Sequence, residues 1–308
     1  MKAQHSAVLP LLLFVVLYSV ASGQQDAPDR LPIGNGVSLH FVERGEGDPI
    51  IFVHGLMDDY SGWLRQLEGF AKQDYRAIAY SRRYNYPNKN RLRTNHSALV
   101  EADDLAAFIR NLKLPKAHIV GYSYGAYTAL ILALEHPELV RTLTLGEPPL
   151  VPWLTDLPGD KSEAGKMHLE KLMEQGINPT KAAFELGRDE IAMRTMFDCI
   201  GGAGAFERLP EFVKDKCRRN VTELKAIASS NAPYPFVDRK KVRSLAVPTL
   251  ILSGSKSVAV AKYTDSELER LIPEHSRKRI VLVGATHIIW VQQPVQCRNA
   301  VLNFIRDK

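Results

Sequence analysis

A serine flanked by two glycines is the candidate nucleophile of this chain. Residues 121–125 read Gly-Tyr-Ser-Tyr-Gly, which places Ser123 midway between the two glycines. A serine hydroxyl is a weak nucleophile at neutral pH, so it needs a base to take its proton and a third group to orient that base. The candidate chemistry is therefore covalent attack by Ser123, and other parts of the chain have to supply the base and its partner.

The segments on either side of Ser123 predict where its side chain lies. The apolar run at 117–122 is typical of a buried strand, and residues 124–136 are typical of a helix. The first glycine permits a tight strand-to-helix turn, and the second lets the helix pack close to the strand. Ser123 is then expected at the carboxyl end of a sheet and at the start of a helix.

The rest of the chain predicts the sheet that holds this turn. Amphipathic helical stretches alternate with short apolar runs, which are found at 38–45, 49–55, 75–81, 117–123, 141–147, 248–254 and 279–287. Such runs are typical of strands buried on both faces, so the pattern predicts a doubly wound, parallel α/β sheet.

One long segment interrupts the alternation of strands and helices. Residues 149–243 contain no convincing strand and predict helices near 161–175, 180–199 and 210–229. We expect this segment to be an inserted helical cap on a core formed by residues 24–148 and 244–308. Four methionines of the cap would either line a pocket or fill the cap's own small core.

Several motifs together resemble the α/β-hydrolase family, and the resemblance covers nearly all of residues 35–308. The family's His-Gly turn resembles residues 53–63, its nucleophile turn resembles 121–125, and the strand that follows its cap resembles 247–254. Its histidine loop resembles 284–294, and its final helix resembles 294–305. The resemblance implies a mostly parallel eight-stranded sheet, helices on both faces, and a catalytic triad in the chain order Ser, acid, His.

The resemblance also implies roles for individual residues. Ser123 is the implied nucleophile, and His287 is the implied base, because it lies just past the last strand in the family's histidine loop. The implied oxyanion hole consists of two backbone N–H groups, those of Leu56 and Tyr124. The Tyr124 ring would alternatively serve only as a pocket wall.

The acid of the triad is the point at which this chain departs from the family's pattern. The family's usual position, after the strand that follows the cap, holds Ser257 instead of Asp. Some family members carry the acid at the end of the preceding core strand, where this chain has Glu147, and we predict Glu147 on that basis. The alternatives are Asp265, which we expect on a solvated helix face, or no acid at all, with Glu147 only capping the turn at 148–149.

Composition and charge narrow the class of protein. The chain has 308 residues and a net charge of +6, but its Lys and Arg residues are scattered and no basic stripe indicates nucleic-acid binding. We expect a small-molecule substrate as the partner, with no metal and no cofactor.

The N-terminus predicts export from the cytoplasm. Residues 1–23 combine a cation, an apolar run at 7–20 and small residues, as in a signal peptide. The apolar run is short for a bilayer span. The protein is therefore expected to be periplasmic or secreted, without stable membrane insertion after cleavage. An uncleaved membrane anchor is the alternative.

The predicted function is that of an exported serine hydrolase, which cleaves a small or medium carboxylic ester through an acyl-serine intermediate. Family members that open epoxides use Asp at the nucleophile position, which here is Ser123. Carbon–carbon bond hydrolases commonly have Trp directly after the histidine, where this chain has Ile288. That activity, a cofactorless perhydrolase and a non-catalytic ligand-binding protein on the same scaffold remain the alternatives.

Other residues give further expectations. Arg82 and Arg83 would either meet a substrate carboxylate or lie in a solvated loop with one of them tied to a neighbouring acid. The acidic stretch 101–104 is expected on a solvated helix face. Cys297 is expected to be a buried thiol. A disulfide between Cys199 and Cys217 is left open.

Overall fold

One mostly parallel sheet of eight strands forms the centre of the molecule. The computed structural model describes residues 27–159, 161–306 and 308, so the predicted signal peptide lies outside the described residues. The strands are β1 (Asp29–Gly34), β2 (Val37–Arg44), β3 (Asp48–Val53), β4 (Tyr75–Tyr80), β5 (Ala117–Tyr122), β6 (Val140–Gly146), β7 (Thr249–Gly254) and β8 (Arg277–Leu282). Their order is β1-β2-β4-β3-β5-β6-β7-β8. Only β2 is antiparallel to its neighbours, which confirms the predicted sheet.

The seven strands predicted from apolar runs are all present, but β1 was not predicted. Pro32 lies within β1 and removes a backbone donor, which is tolerated because β1 is an edge strand that pairs only with β2. The turn that joins the two strands contains Asn35 and Gly36, both with positive φ, at 52° and 72°. An Asn-Gly pair is favoured in two-residue hairpin turns, because both of their central residues need positive φ.

Helices cover both faces of the sheet. The helices outside the segment between β6 and β7 are α1 (Leu64–Ala71), α2 (Ala98–Asn111), α3 (Tyr124–Glu135), α10 (Ala259–Leu271), α11 (Ile289–Gln292) and α12 (Pro294–Ile305). Because side chains alternate along a strand, Phe52 of β3 packs with α1 and α12, whereas the neighbouring Ile51 and Val53 pack with α2 and α3. Each face of the sheet therefore has its own apolar core.

The described residues between β6 and β7 form helices and no strand. These are α4 (Lys161–Leu172), α5 (Asn178–Glu185), α6 (Asp189–Gly201), α7 (Glu211–Arg219), α8 (Val221–Ser229) and α9 (Arg239–Arg243). The predicted helix 180–199 is interrupted at Gly187, whose φ is 67°, and the predicted helix 210–229 is interrupted at Asn220. The limits of the cap at 149 and 243 stay a prediction.

The three cysteines are free thiols. Cys297 is buried, as predicted. The disulfide between Cys199 and Cys217, which the sequence left open, is not formed. Burial raises the pKa of Cys217 to about 12, which keeps this thiol protonated. Across the described part of the chain, no helix combines the length and the apolarity needed to cross a membrane.

Candidate active site

Ser123 lies in a strained turn between β5 and α3. Its backbone has φ 51° and ψ −123°, a rare conformation for a residue with a side chain, and its N–H donates to Gly146 O at 2.7 Å. Gly121 and Gly125 both have negative φ. The strained backbone of this turn is therefore that of Ser123. A Cβ on Gly121 would lie 2.6 Å from Ala126 Cα, and one on Gly125 would lie 2.3 Å from Val53 O. The glycines thus permit close backbone approach, which fixes the turn against the sheet.

His287 lies directly beside Ser123. Its Nε2 is 3.1 Å from Ser123 Oγ, and its Nδ1 is 2.6 Å from Glu147 Oε2. Tyr122 fixes the histidine loop, because its hydroxyl donates to His287 O at 2.9 Å. Tyr122 immediately precedes Ser123 in the chain, but nothing in the sequence pattern indicates this role for it. Ser123, His287 and Glu147 therefore form one continuous line of hydrogen bonds.

Glu147 is buried at the end of β6, with its side chain inaccessible to solvent. Its Oε1 accepts a hydrogen bond from Gly254 N at 2.6 Å, and its Oε2 accepts one from Ser257 Oγ at 2.6 Å. The residue at the family's usual acid position thus donates to an acid that comes from the neighbouring strand. Glu147 has φ 53°, a positive value that is uncommon for a residue with a side chain. Within the described residues, no Lys or Arg forms an ion pair with this carboxylate.

The structure separates Asp265 from this line of hydrogen bonds. Asp265 lies in the middle of α10 and is fully buried, so its expected position on a solvated face is wrong. Its carboxyl accepts a hydrogen bond from Ser253 Oγ at 2.5 Å, and its second oxygen has no partner in the described part of the chain. Burial raises the pKa of Asp265 well above its usual value and favours the neutral form.

The two residues predicted to supply the oxyanion donors border one cavity. Leu56 and Tyr124 border a cavity together with Ser123 and His287. A Cβ on Gly55 would lie 3.2 Å from Ser123 Cβ, which shows how closely the turn before Leu56 passes Ser123. The Tyr124 side chain is buried, and its hydroxyl donates to Pro233 O at 2.8 Å. Tyr124 can therefore supply both a backbone donor and a wall of the cavity.

The cavity above Ser123 has a volume of about 310 Å³ and a largely apolar wall. The helical segment contributes Leu172, Met196 and Ile200, and the region after β7 contributes Val258 and Ala261. Two polar side chains of α4 also border it, namely His168 and Lys171. Of the cap methionines, Met196 therefore lines the pocket, Met193 is buried in the segment's own apolar cluster and Met167 is exposed.

The side chains of Arg82 and Arg83 are buried, so their expected solvation is wrong, whereas the expected pairing with a neighbouring acid is found for both. Arg82 is 1% exposed and pairs with Glu101 at 2.5 Å and with Glu223, while Arg83 forms two bonds of 2.6 Å to Asp104. Glu101 and Asp104 are consequently buried, so the expectation of a solvated face at 101–104 is wrong for these two residues. The carboxylates outweigh the effect of burial and raise the pKa of Arg82.

Comparisons with known proteins support the assigned fold. The family described as "alpha/beta hydrolase fold" matches residues 48–172. The chain is 25% identical over 284 residues to "Probable alcohol acetyltransferase" of Cyberlindnera fabianii, covering 84% of this chain and 72% of that protein. It is 20% identical over 306 residues to "Bifunctional epoxide hydrolase 2" of Rattus norvegicus, covering 89% of this chain but only 54% of that protein.

A solved structure shows the same fold over almost the whole molecule. The esterase EaEST from Exiguobacterium antarcticum superposes with a TM-score of 0.69 at 17% identity, covering 91% of this chain and 100% of the other. The order of the strands and the family match define an α/β-hydrolase fold. The fold is thus that of the α/β hydrolases over almost the whole molecule, and the family match supports the same assignment for residues 48–172.

Proposed function

We propose that the protein is a serine hydrolase that cleaves small or medium carboxylic esters through an acyl-Ser123 intermediate. The observation that supports this function is the line of hydrogen bonds from Glu147 through His287 to Ser123, which ends at an apolar cavity. In the geometry of a serine triad, the nucleophile contacts one nitrogen of the base and the acid contacts the other.

Acylation begins when His287 Nε2 accepts the proton of Ser123 while Oγ attacks the ester carbonyl. The carbonyl oxygen gains a negative charge, and the backbone N–H groups of Leu56 and Tyr124, two residues that border the cavity, are the proposed donors to it. His287 then gives its proton to the departing alcohol. Glu147 stabilises the transient imidazolium, because no permanent cation in the described residues neutralises this carboxylate.

Deacylation repeats these steps with a second substrate. His287 takes a proton from water, the resulting nucleophile attacks the acyl carbonyl, and the carboxylic acid leaves as Ser123 regains its proton. An alcohol can take the place of water, which would transfer the acyl group instead of hydrolysing it. The similarity to a protein named as an alcohol acetyltransferase makes alcohols the first alternative acceptors to test.

The cavity supports a mainly apolar substrate of limited size. Its volume of about 310 Å³ is at the lower end of the range for small-molecule pockets, about 300–1,000 Å³. Several relatives are named as epoxide hydrolases. Family members that open epoxides use Asp where this chain has Ser123, so an ester fits the present nucleophile better. Export of the mature protein through residues 1–23 is part of the same proposal.

A panel of p-nitrophenyl esters with acyl chains of increasing length tests the proposal. We expect turnover of short and medium chains, a decline for long chains, and a loss of several orders of magnitude in Ser123→Ala, because triad members act as a unit. A folded wild-type protein that turns over no ester in the panel, with water or alcohols as acceptors, would favour a non-catalytic binding protein. Wild-type turnover by Ser123→Ala would exclude Ser123 as the nucleophile.

A further inference from the structure

The side chain of Arg82 lies buried behind the turn that carries Leu56. Its Nε donates to His54 O at 3.1 Å and its Nη2 donates to Gly55 O at 2.9 Å. Gly55 O accepts a further bond at 2.9 Å from His54 Nδ1, which carries the ring proton because Nε2 accepts from Arg82 N at 3.0 Å. Burial lowers the pKa of His54 well below its usual value, so the ring is neutral and this pattern is fixed.

These contacts determine where the Leu56 N–H points. Gly55 C=O and Leu56 N–H belong to the same peptide group, which is planar and trans, so they point in opposite directions. Because the carbonyl is held towards Arg82, the N–H is directed away from Arg82. Leu56 borders the cavity, and Gly55 lies against Ser123.

Arg82 is itself held in place by two buried carboxylates. Glu101 of α2 accepts from its Nη1 at 2.5 Å, and Glu223 of α8 accepts from its Nη2. Glu223 also accepts from Met57 N and from Asn85 Nδ2, both at 2.7 Å. The backbone on either side of Leu56 is therefore fixed, on one side by Arg82 and on the other by a residue of the helical segment.

We propose that Arg82 is a positioning residue, which directs the Leu56 N–H towards the oxyanion, and that Glu223 extends this support to the helical segment. The role rests on the proposed ester hydrolysis, since it concerns the charge that develops on the substrate carbonyl. Arg82 is 1% exposed and lies behind the turn, so it acts through the peptide group and does not touch the substrate.

The neighbouring arginine offers a matched control. Arg83 is also buried and also pairs with a carboxylate, but its side chain bonds to Asp104 and not to the turn. Arg82 bonds to four acceptors, two backbone carbonyls and two carboxylates. Lysine keeps the positive charge but has three donors at one point instead of a planar fork. Arg82→Lys is therefore expected to weaken the contacts with the backbone carbonyls of the turn. Arg83→Lys makes the same chemical change at a side chain that does not contact the turn.

For Arg82→Lys we expect kcat to fall about 10- to 100-fold, somewhat less than the factor of about 10²–10³ for removal of an oxyanion donor. The KM for a p-nitrophenyl ester should change less than about threefold. The affinity for phenylboronic acid, which forms a tetrahedral adduct with a reactive serine, should fall by the same factor as kcat. The pH profile should keep its shape, and Arg83→Lys should stay within about threefold of wild type. Rates are expressed per active site by fluorophosphonate titration, so that unfolded protein does not count.

Equal effects of Arg82→Lys and Arg83→Lys on kcat and on boronate affinity would overturn this role. If Arg82→Lys does not fold, Glu223→Gln replaces it, with an expected loss of about three- to tenfold in kcat; wild-type kinetics in that variant would overturn the role as well. A wild-type protein without ester turnover would overturn the proposed function and this role together. An active wild type with unaffected variants would overturn the role of Arg82 alone.

Discussion

Two clusters of buried carboxylates lie close to Ser123, and their partners differ. In the Glu147 cluster, the carboxylate accepts hydrogen bonds from a backbone N–H, a serine hydroxyl and the imidazole of His287. In the Arg82 cluster, Glu101 and Glu223 pair directly with a guanidinium. The first cluster opens to the cavity through His287, which is 23% exposed, whereas the second is sealed from solvent.

The difference in partners indicates a difference in task. A carboxylate with only neutral donors gains most when a positive charge appears beside it, as it does when His287 takes a proton. The charge of a carboxylate paired with arginine is already neutralised, and removal of the arginine would leave that charge buried without a partner. Such a pair therefore serves to hold the groups around it in place. In the proposed reaction, the Glu147 cluster therefore responds to the proton transfer, whereas the Arg82 cluster keeps the surrounding backbone in place.

The largest expected effect within this comparison is that of Glu147→Gln. The amide cannot stabilise an imidazolium and favours the wrong tautomer of the histidine, so kcat should fall by about 10³–10⁴. The measurement is kcat for a p-nitrophenyl ester. Asp265→Asn is the control, because that acid is equally buried but does not contact His287. A Glu147→Gln enzyme within about threefold of wild type would show that another group orients the base.

A second substitution tests whether the acid can be moved to the neighbouring strand. Ser257 Oγ lies 2.6 Å from Glu147 Oε2, so a carboxylate at 257 would lie close to His287 Nδ1. We expect Ser257→Asp in the Glu147→Gln background to recover about tenfold or more in kcat. Ser257→Asn in the same background is the control that adds a similar volume without the charge. Equal rates for the two double variants would mean that position 257 cannot supply the acid.

The smallest expected effect concerns a buried titratable group with no carboxylate partner in the described residues. Burial, with a smaller contribution from Arg141, lowers the pKa of His118 to about 4. Between about pH 4 and 6.5 the unfolded chain therefore binds a proton that the folded chain does not. The free energy of unfolding should fall as the pH drops through this window, by roughly 1.4 kcal/mol per unit of the pKa difference.

The His118→Gln variant isolates this contribution. Glutamine can keep a hydrogen bond to Thr142, which lies 2.8 Å from His118 Nδ1, but it does not titrate. Urea unfolding at pH 7 and pH 4.5 should show a smaller loss of stability than in wild type. His275→Gln, at an exposed position, should leave the loss unchanged. If His118→Gln loses as much stability as wild type, the imidazole does not carry the effect.

The geometry of the Glu147 cluster could be predicted because its members lie at strand ends. Ser123, Glu147 and His287 each follow an apolar run, and the carboxyl ends of parallel strands meet at one edge of a sheet. The sequence could also indicate that Ser257 occupies the usual position of the acid. It could not show that this serine donates to Glu147, because the two residues are 110 positions apart.

The Arg82 cluster could not be predicted, and the reason is again distance along the chain. Two adjacent arginines in a polar loop look solvated, but the carboxylates that bury Arg82 lie 19 and 141 positions away. Within α2, Leu99 is 42% exposed, whereas Glu101 is buried. Helical periodicity identifies an apolar face, but it does not show where a buried ion pair replaces apolar packing.

The most direct test of the Glu147–His287–Ser123 assignment is the stoichiometry and rate of labelling by a fluorophosphonate, measured by intact mass and peptide mapping. We expect one label per folded wild-type molecule, located on Ser123, no label on Ser123→Ala, and labelling of Glu147→Gln at least about 100-fold slower than wild type. The absence of any label on folded wild-type protein, a label at another residue, or equal labelling of the Ser123→Ala variant would contradict the assignment.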